Sequence, residues 1–259
     1  MPKSSTSSQS PLVPWIEPGD ALPDAHQALH QPANLRGLVA AGADLSVARL
    51  QEAYSKGIFP WFSPGQPVLW WSTDPRMVLQ VAQFRLHTSL RKTLRQFRRR
   101  DGCEIRFDSA FSQVIRHCAQ QPREGQNGTW IVPEMVQTYE ALHRAGHAHS
   151  VETWMDGELI GGLYVVSLGR AVFGESMFAL QTNASKVALA ALVAFARYHR
   201  IAWIDCQQNT RHLASLGAQE MPRDTFIRWV NRDMAQAAPE WKFESIYWDL
   251  LDPLARPLQ

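Results

Sequence analysis

Cysteine and long apolar runs are both scarce in this sequence. Its three cysteines, Cys103, Cys118 and Cys206, are odd in number and have no C-x-x-C spacing. This argues against a disulfide framework or a cysteine-based zinc site and fits a reducing compartment. The longest apolar run, residues 187–196, is far shorter than the roughly 20 residues of a membrane span. Because the Ser-rich residues 1–10 also lack the apolar core of a secretory signal, we expect a cytoplasmic protein with no membrane partner.

An excess of charge of one sign is missing too, and so are the short motifs of several enzyme classes. The 26 Lys and Arg residues nearly balance the 24 Asp and Glu residues, for a net charge of +2, so any nucleic-acid contact requires a local basic patch. The glycine patterns of nucleotide-binding loops and the G-x-S-x-G motif of serine hydrolases do not occur. His147 and His149 form an H-x-H pair without a third ligand at a metal-binding spacing, so no metal is predicted.

The segments that are present predict an α+β fold with two domains. Residues 1–33, rich in Ser, Pro and Gln, are predicted to be a disordered tail or a loosely docked arm, and residues 34–75 to be a small N-terminal domain. Residues 76–245 are predicted to contain, in this order, a helix, three strands joined by short turns, a long helix that Asn183 caps, a strand and a helix. This order is typical of a GNAT-like acyltransferase domain. Residues 246–259 are left as a C-terminal tail.

Two carboxylates stand at the ends of predicted strands. Glu175 closes the third strand of the meander, and Asp205 closes the strand after the long helix. A right-handed strand–helix–strand crossover would bring these strands close together, and Gln207, two residues beyond Asp205, would share its face of the strand. The three side chains would then line one cleft that holds a cationic substrate and polarises an amine. In the alternative interpretation, Glu175 pairs with a nearby arginine and Asp205 caps a helix.

Residues 85–100 form a basic segment with seven Arg or Lys residues and no acidic one. Leu90, Leu94 and Phe97 fall at i, i+4 and i+7 on one face of a predicted helix. An all-basic opposite face favours contacts with phosphate, because each neutralised phosphate releases a counterion; plain solvation is the alternative. The candidate nucleic-acid-binding residues are Arg91, Lys92, Arg95, Arg98 and Arg99.

Large aromatic residues cluster in turn-rich stretches. Trp61 lies in a Phe-Pro-Trp-Phe-Ser-Pro-Gly segment. Trp130 follows a Gly/Gln/Asn-rich loop and precedes a helix start, which makes it the better candidate for a pocket wall. Core packing explains such residues as well as function does.

Eight segments occur in the order that one protein family shows. They are 56–62 (KGIFPWF), 69–72 (LWWS), 128–131 (GTWI), 146–152 (GHAHSVE), 174–178 (GESMF), 183–186 (NASK), 204–207 (IDCQ) and 214–218 (ASLGA). With these segments the chain resembles the leucyl/phenylalanyl-tRNA–protein transferases over about residues 35–232. One such segment would be a weak signal, whereas eight in order are specific.

The resemblance implies a small N-terminal domain joined to a GNAT-like domain. It implies that Leu or Phe, and less well Met, passes from Leu-tRNA or Phe-tRNA to proteins with N-terminal Arg or Lys, which then enter N-degron proteolysis. The aminoacyl ester is already activated, so no cofactor is expected, and we expect a monomer. The family's active-site positions fall on Trp61, Trp130, Tyr139, Glu175, Asp205 and Gln207.

Roles follow for these residues from the resemblance and from the chemistry of aminolysis. The attacking amine must be neutral, which requires a base or a proton relay. We assign Asp205 to orient Gln207, Gln207 to accept a hydrogen bond from the amine, and Glu175 to hold a cationic or amino group. The remaining predicted substrate-binding residues are Met177, a pliable pocket wall, and Ser185, in the polar start of the long helix.

Two other classes of function stay open at this point. A small-molecule N-acyltransferase of the GNAT type would need a pyrophosphate-binding loop before the long helix, and residues 181–186 (QTNASK) stand there instead. A non-catalytic tRNA- or N-degron-binding protein would not need Glu175, Asp205 and Gln207 together.

Overall fold

Two β-sheets organise the fold. The structure is a computed structural model and describes residues 13–121 and 131–251. In this part of the chain the four-stranded sheet has the order β1-β2-β4-β3 and the seven-stranded sheet the order β11-β5-β10-β9-β8-β7-β6. The strands are β1 (Trp15–Ile16), β2 (Leu38–Gly42), β3 (Phe59–Pro60), β4 (Val68–Trp71), β5 (Arg76–Gln80), β6 (Cys103–Phe107), β7 (Ala148–Met155), β8 (Glu158–Leu168), β9 (Ala171–Ala179), β10 (Trp203–Asp205) and β11 (Gln219–Met221).

Helices cover both sheets. They are α1 (Val47–Ser55), α2 (Thr88–Arg99), α3 (Phe111–Gln120), α4 (Pro133–Arg144), α5 (Ala184–Tyr198), α6 (Arg211–Ser215) and α7 (Arg223–Met234). Short 3-10 helices span Ala25–Gln27, Ala33–Leu35, Val81–Gln83 and Ser245–Leu251. None of the helices within the described ranges is long and apolar enough to cross a membrane.

The N-terminal sheet is completed by residues that the sequence predicted to be a tail. Strand β1 pairs in parallel with β2, and Ile16 and Leu22 are buried in the core. Lys56 Nζ donates to the carbonyl of Leu22 at 2.6 Å. Residues 13–33 are therefore a docked arm, which is the second of the two predicted alternatives, because a few well-placed apolar side chains hold this polar segment against the core. Residues 1–12 of the predicted tail lie outside the described residues.

The C-terminal segment is docked as well, up to the end of the described residues. Tyr247, Trp248 and Leu251 are buried in the same core cluster as α5. Arg197 Nη1 donates to the carbonyl of Leu250 at 2.6 Å. The prediction of a tail from residue 246 thus differs from the structure over 246–251, and 252–259 lie outside the described part.

The meander and the crossover predicted from sequence are both present. Strands β7, β8 and β9 pair antiparallel in chain order. Strand β10 returns through α5 to pair parallel with β9, with Asp205 opposite Phe173. The predicted mixture of helices with an antiparallel meander is thereby confirmed. Strands β5 and β11 were not predicted; they extend the sheet beyond β10.

The long helix α5 is buried along its length but is not capped as predicted. All of residues 187–196 are buried, since the helix lies between the meander, α2 and the C-terminal segment. Asn183 adopts a left-handed φ of 68° and its side chain makes no capping hydrogen bond. Its Nδ2 lies 3.5 Å from Thr93 Oγ1 on α2, and its Oδ1 accepts from Lys186 Nζ at 3.3 Å. Asn183 therefore occupies the predicted N-cap position, but its side chain does not make the capping hydrogen bond.

Candidate active site

A cavity of about 410 Å³ lies where the two sheets meet, over β9 and β10. Trp61 lines it from the segment after β3, Glu175 and Met177 from β9, and Gln207 from the turn after β10. Leu189 on α5 adds an apolar wall. The crossover that makes β9 and β10 neighbours is what brings Glu175 and Gln207 together, as the sequence predicted.

Glu175 is the centre of a hydrogen-bond network in this cavity. Tyr54 Oη donates to Glu175 Oε1 at 2.7 Å, and Tyr139 Oη donates to Oε2 at 3.2 Å. The two tyrosine hydroxyls are 2.6 Å apart. Gln207 Nε2 donates to Oε1 at 3.4 Å. Side chains from α1, α4 and the turn after β10 therefore converge on a single carboxyl group.

Burial changes the titration of this network. The pKa of Glu175 is raised to about 8; burial is the largest cause and the nearby charge of Asp205 adds to it, while the hydrogen bond from Tyr54 opposes the rise. Burial, together with the Glu175 carboxylate, also holds the pKa values of Tyr54 and Tyr139 well above the usual range. A pKa raised this far favours the protonated form of the Glu175 carboxyl group near neutral pH. The carboxylate expected from sequence is the form that a bound cation would restore.

Asp205 is engaged in a buried ion pair that the sequence did not predict. Arg76 Nε donates to Asp205 Oδ1 at 2.8 Å and Arg76 Nη2 to Oδ2 at 2.6 Å, and both side chains are fully buried. The alternative interpretation had expected an arginine beside Glu175 and a helix cap at Asp205. The structure places the arginine on Asp205 instead.

Gln207 reaches the cavity by a different route from the one predicted. Strand β10 ends at Asp205, and Gln207 has a left-handed φ of 54°, so the argument from a shared strand face is wrong. The backbone N–H of Gln207 donates to Asp205 Oδ1 at 3.0 Å, and its carbonyl accepts from Thr73 Oγ1 at 2.9 Å. This tight turn aims the amide at Glu175.

Tyr54, Thr73 and Arg76 were missed by sequence reasoning. Tyr54 shares the buried face of α1 with Leu50 and Ala53, and a buried tyrosine hydroxyl usually finds a partner. Arg76 opens an otherwise apolar strand, and a buried charge needs a counter-charge. Both signals were present, but neither names the partner.

The other predicted site residues fall into three groups. Trp61 and Met177 are half-buried and line the cavity. Ser185 lies in the first turn of α5 and is not among the cavity-lining residues that the structure describes. Trp130 lies outside the described residues. Within residues 13–121 and 131–251, no group of three His, Cys, Asp or Glu side chains could hold a metal ion.

The basic residues lie on α2, which begins beside the cavity. His87 Nε2 is 2.8 Å from the carbonyl of Ser215 at the end of α6, and α6 lines the cavity through His212 and Leu213. Of the five predicted tRNA-binding residues, Arg98 pairs with Asp249 at 3.2 Å. The other four make no ion pair with the described residues; Lys92, Arg95 and Arg99 are exposed, and Arg91 is half-buried.

Comparison with known proteins gives a consistent family. The family model described as leucyl/phenylalanyl-tRNA protein transferase matches residues 78–231, and the model of that family's N-terminal domain matches residues 43–74. The leucyl/phenylalanyl-tRNA–protein transferase of Polaromonas sp. (strain JS666 / ATCC BAA-500) is 61% identical over 247 residues, which are 95% of this chain and 96% of that protein. The protein of the same name from Albidiferax ferrireducens (strain ATCC BAA-621 / DSM 15236 / T118) is 57% identical over 245 residues, which are 95% of this chain and 96% of that protein.

A solved structure is similar only at a distance. It is described as a functionally unknown conserved protein from Staphylococcus epidermidis ATCC 12228 and is 10% identical, with a TM-score of 0.38 over 71% of this chain and 68% of that one. A score at this level supports no argument about fold. The two family models and the relatives cover both sheets and the cavity between them. The chain therefore belongs to the leucyl/phenylalanyl-tRNA–protein transferases, a family of aminoacyltransferases.

Proposed function

We propose that this chain transfers Leu or Phe, and less well Met, from aminoacyl-tRNA to the N-terminal Arg or Lys of acceptor proteins, which marks them for N-degron degradation. The donors follow from the names of the relatives, and the acceptors from the resemblance to the family. The observation that carries the proposal is the network in which Tyr54 and Gln207 meet on Glu175 in the cavity. The Gln207 amide and the Glu175 carboxyl group lie 3.4 Å apart there.

The cavity walls suit the donor. Met177, Leu189 and Ile204 offer apolar surface for a Leu or Phe side chain. Trp61 offers an aromatic face on which the terminal adenine can stack. Lys92, Arg95 and Arg99 then serve as phosphate contacts, because α2 begins beside the cavity and these three cations are exposed.

The chemistry of transfer is aminolysis of an ester. The neutral α-amine of the acceptor attacks the aminoacyl carbonyl carbon, a peptide C–N bond forms and the ester C–O bond breaks. The ribose hydroxyl of the tRNA leaves with a proton. Gln207 donates to Glu175 through Nε2, which leaves its Oε1 free to accept a hydrogen bond from the amine and to orient its lone pair.

Glu175 supports the choice of a cationic acceptor. A guanidinium or ammonium group entering the cavity favours the ionised carboxyl group, since an opposite charge at short range lowers a raised pKa. The ionised group then binds the cation through charge-assisted hydrogen bonds. An acidic N-terminal side chain gains nothing comparable.

The architecture and the setting complete the proposal. The antiparallel meander β7–β9 followed by α5 and β10 supports a GNAT-like catalytic domain over residues 76–245, with residues 34–75 as the N-terminal domain. We propose that the protein acts as a monomer. We place the protein in the cytoplasm, because aminoacyl-tRNA is available there.

Transfer of label tests the proposal directly. The full-length protein is incubated with labelled Phe-tRNA and a peptide that begins with Arg, and labelled peptide is the expected product. Matched peptides that begin with Ala or Glu should stay unlabelled. No transfer to any peptide, or a preference for the Glu-starting one, would overturn the proposal.

The role of the basic face is tested by salt. We expect that replacing Lys92, Arg95 and Arg99 together by Ala reduces the steepness of tRNA binding with salt. The slope of log affinity against log salt concentration should become shallower by roughly two to three units. Arg98 stays in place because it already pairs with Asp249. An unchanged slope would leave these residues a role in solubility alone.

A further inference from the structure

Arg76 lies between the two sheets and contacts residues from both parts of the fold. It opens β5 of the large sheet, and its guanidinium lies between the rings of Phe59, from the small sheet, and Phe226, on α7. The distances from Arg76 Cζ to the two ring centroids are 4.7 and 4.5 Å. A planar cation held between two rings has little freedom to rotate. The side chain is fully buried.

One edge of this guanidinium leads to Gln207. Nε and Nη2 grip both oxygens of Asp205 at 2.8 and 2.6 Å. Asp205 Oδ1 then accepts the backbone N–H of Gln207 at 3.0 Å. Gln207 occupies a left-handed conformation, φ 54°, that a non-glycine residue adopts only when its surroundings impose it. Asp205 therefore acts on the backbone of the turn, and Arg76 holds Asp205.

The other edge leads to Tyr54. Arg76 Nη1 donates to the carbonyl of Gly57 at 3.2 Å. Gly57 has a φ of +70°, and a Cβ there would come within 3.2 Å of Phe226, so this position packs tightly at the end of α1. Helix α1 carries Tyr54, whose hydroxyl donates to Glu175 at 2.7 Å. The same side chain thus anchors two of the three elements whose polar groups converge on Glu175, namely α1 and the turn after β10.

We propose that Arg76 is a positioning residue of the transfer reaction, which holds the Gln207 turn through Asp205 and the end of α1 through Gly57, so that Gln207 and Tyr54 stay in register on Glu175. The inference rests on the proposed function. It assigns Asp205 a place behind the reacting groups: its two oxygens are occupied by Arg76 and the Gln207 backbone, and Gln207 is the residue that faces the amine.

Substitution by lysine separates geometry from charge. Arg76→Lys retains the positive charge but cannot grip both Asp205 oxygens and reach Gly57 together. A displacement of about 1 Å in a reacting group lowers turnover by roughly 100-fold. We expect kcat to fall by that order while KM for Phe-tRNA stays unchanged, because the apolar walls and the basic face are untouched.

The matched control is Arg49→Lys. Arg49 is also a buried arginine, 4% exposed, and it pairs with Asp44 and Glu52 away from the cavity. Both variants should lower the unfolding temperature, and only Arg76→Lys should lower kcat. Equal kcat values for Arg76→Lys and the unmodified protein would overturn the inference, and so would an equal fall in both variants.

A double-mutant cycle tests whether Arg76 acts through Asp205. If it does, adding Asp205→Asn to Arg76→Lys should lower kcat little further, because coupled residues are not additive. Multiplying effects would contradict the route through Asp205. Should Arg76→Lys fail to fold, Phe226→Leu loosens the ring contact and keeps the ion pair; it should lower kcat by roughly tenfold, and an unchanged kcat would overturn the proposal.

The unmodified protein separates this inference from the proposed function. If it transfers no Phe at all, the proposed function fails whatever the variants do. If it transfers Phe and Arg76→Lys does so equally well, the proposed function stands and only the positioning role is lost.

Discussion

Two glutamates of the same meander show how differently this sheet treats a carboxyl group. Glu152 on β7 is fully buried and accepts from Ser109 Oγ, from the Ala110 backbone N–H at 2.7 Å, from Ser150 Oγ at 2.7 Å and from Trp154 Nε1 at 2.9 Å. Glu175 on β9 is half-buried and faces the cavity. Two of its three donors lie at 3.2 and 3.4 Å.

The difference separates a structural carboxyl group from a reactive one. Four donors on Glu152 leave no acceptor position for a ligand, so it ties the start of α3 to β7. Glu175 has fewer and longer hydrogen bonds, a pKa raised to about 8 by burial, and an open side. A carboxyl group in a cavity with its pKa raised toward neutral pH is the arrangement expected where a substrate completes the hydrogen-bond network.

The largest expected effect comes from replacing Glu175, the carboxyl group that faces the cavity, by a group that cannot ionise. Glu175→Gln should lower transfer of Phe to an Arg-starting peptide by on the order of 100-fold, with little change in the unfolding midpoint. Initial rates and a urea titration measure the two quantities. Retained activity would show that Glu175, like Glu152, has only a structural role.

The converse substitution should affect stability. Glu152→Gln places an amide N–H₂ among four donors, which leaves buried groups without partners and lowers the free energy of unfolding by about 1–3 kcal/mol. The folded fraction should transfer Phe at the normal rate. A stable variant with reduced turnover would reverse the assignment of roles to the two glutamates.

A smaller effect is expected from removing one of the hydrogen-bond donors to Glu175. Tyr54→Phe removes the 2.7 Å hydrogen bond that opposes the rise of the Glu175 pKa, so the pKa should move higher still. The inflection that Glu175 gives to the pH–rate profile should shift to higher pH, and the rate should fall by roughly tenfold. Tyr139→Phe, which removes the longer bond, is the matched control and should shift the profile less.

The smallest effect concerns His26, which two surface aspartates flank. His26 lies between Asp24 and Asp224, at 2.6 and 2.8 Å, and its hydrogen bonds to them raise its pKa above 6.5. A raised histidine pKa contributes stability that is fully present below pH 6.5 and is lost as the pH rises through the folded-state pKa. The group is exposed, so the contribution is small. Unfolding midpoints across this window should fall more for the unmodified protein than for His26→Gln; parallel curves would exclude the contribution.

Local patterns predicted the parts of the fold and site that depend on near neighbours in the chain. Turn residues marked the meander, and the crossover rule brought β9 beside β10, which placed Glu175 near Gln207. The ion pair of Arg76 with Asp205 joins residues 129 positions apart, and the bond from Tyr54 to Glu175 joins residues 121 apart. No periodicity encodes such partners, because β5 pairs with strands that lie far away along the chain.

Local rules also failed where the tertiary structure overrides them. Asn183 is a favoured capping residue, yet its side chain bonds Thr93 and Lys186 instead. Residues 13–33 have the composition of a tail, yet Ile16 and Leu22 are buried. In both cases contacts with a distant element outweigh the preference of the segment itself.

Tyr54 lies on α1, which packs with the small sheet. The N-terminal part of the chain therefore contributes to the active site, and the chain cannot be split before β5 without losing it. A fragment that begins at β5 would retain Glu175 and Gln207 but would lose Tyr54, Trp61 and one face of the Arg76 contact. Expressed separately, the two halves should be inactive, and mixing them should restore turnover only where they reassemble along this seam.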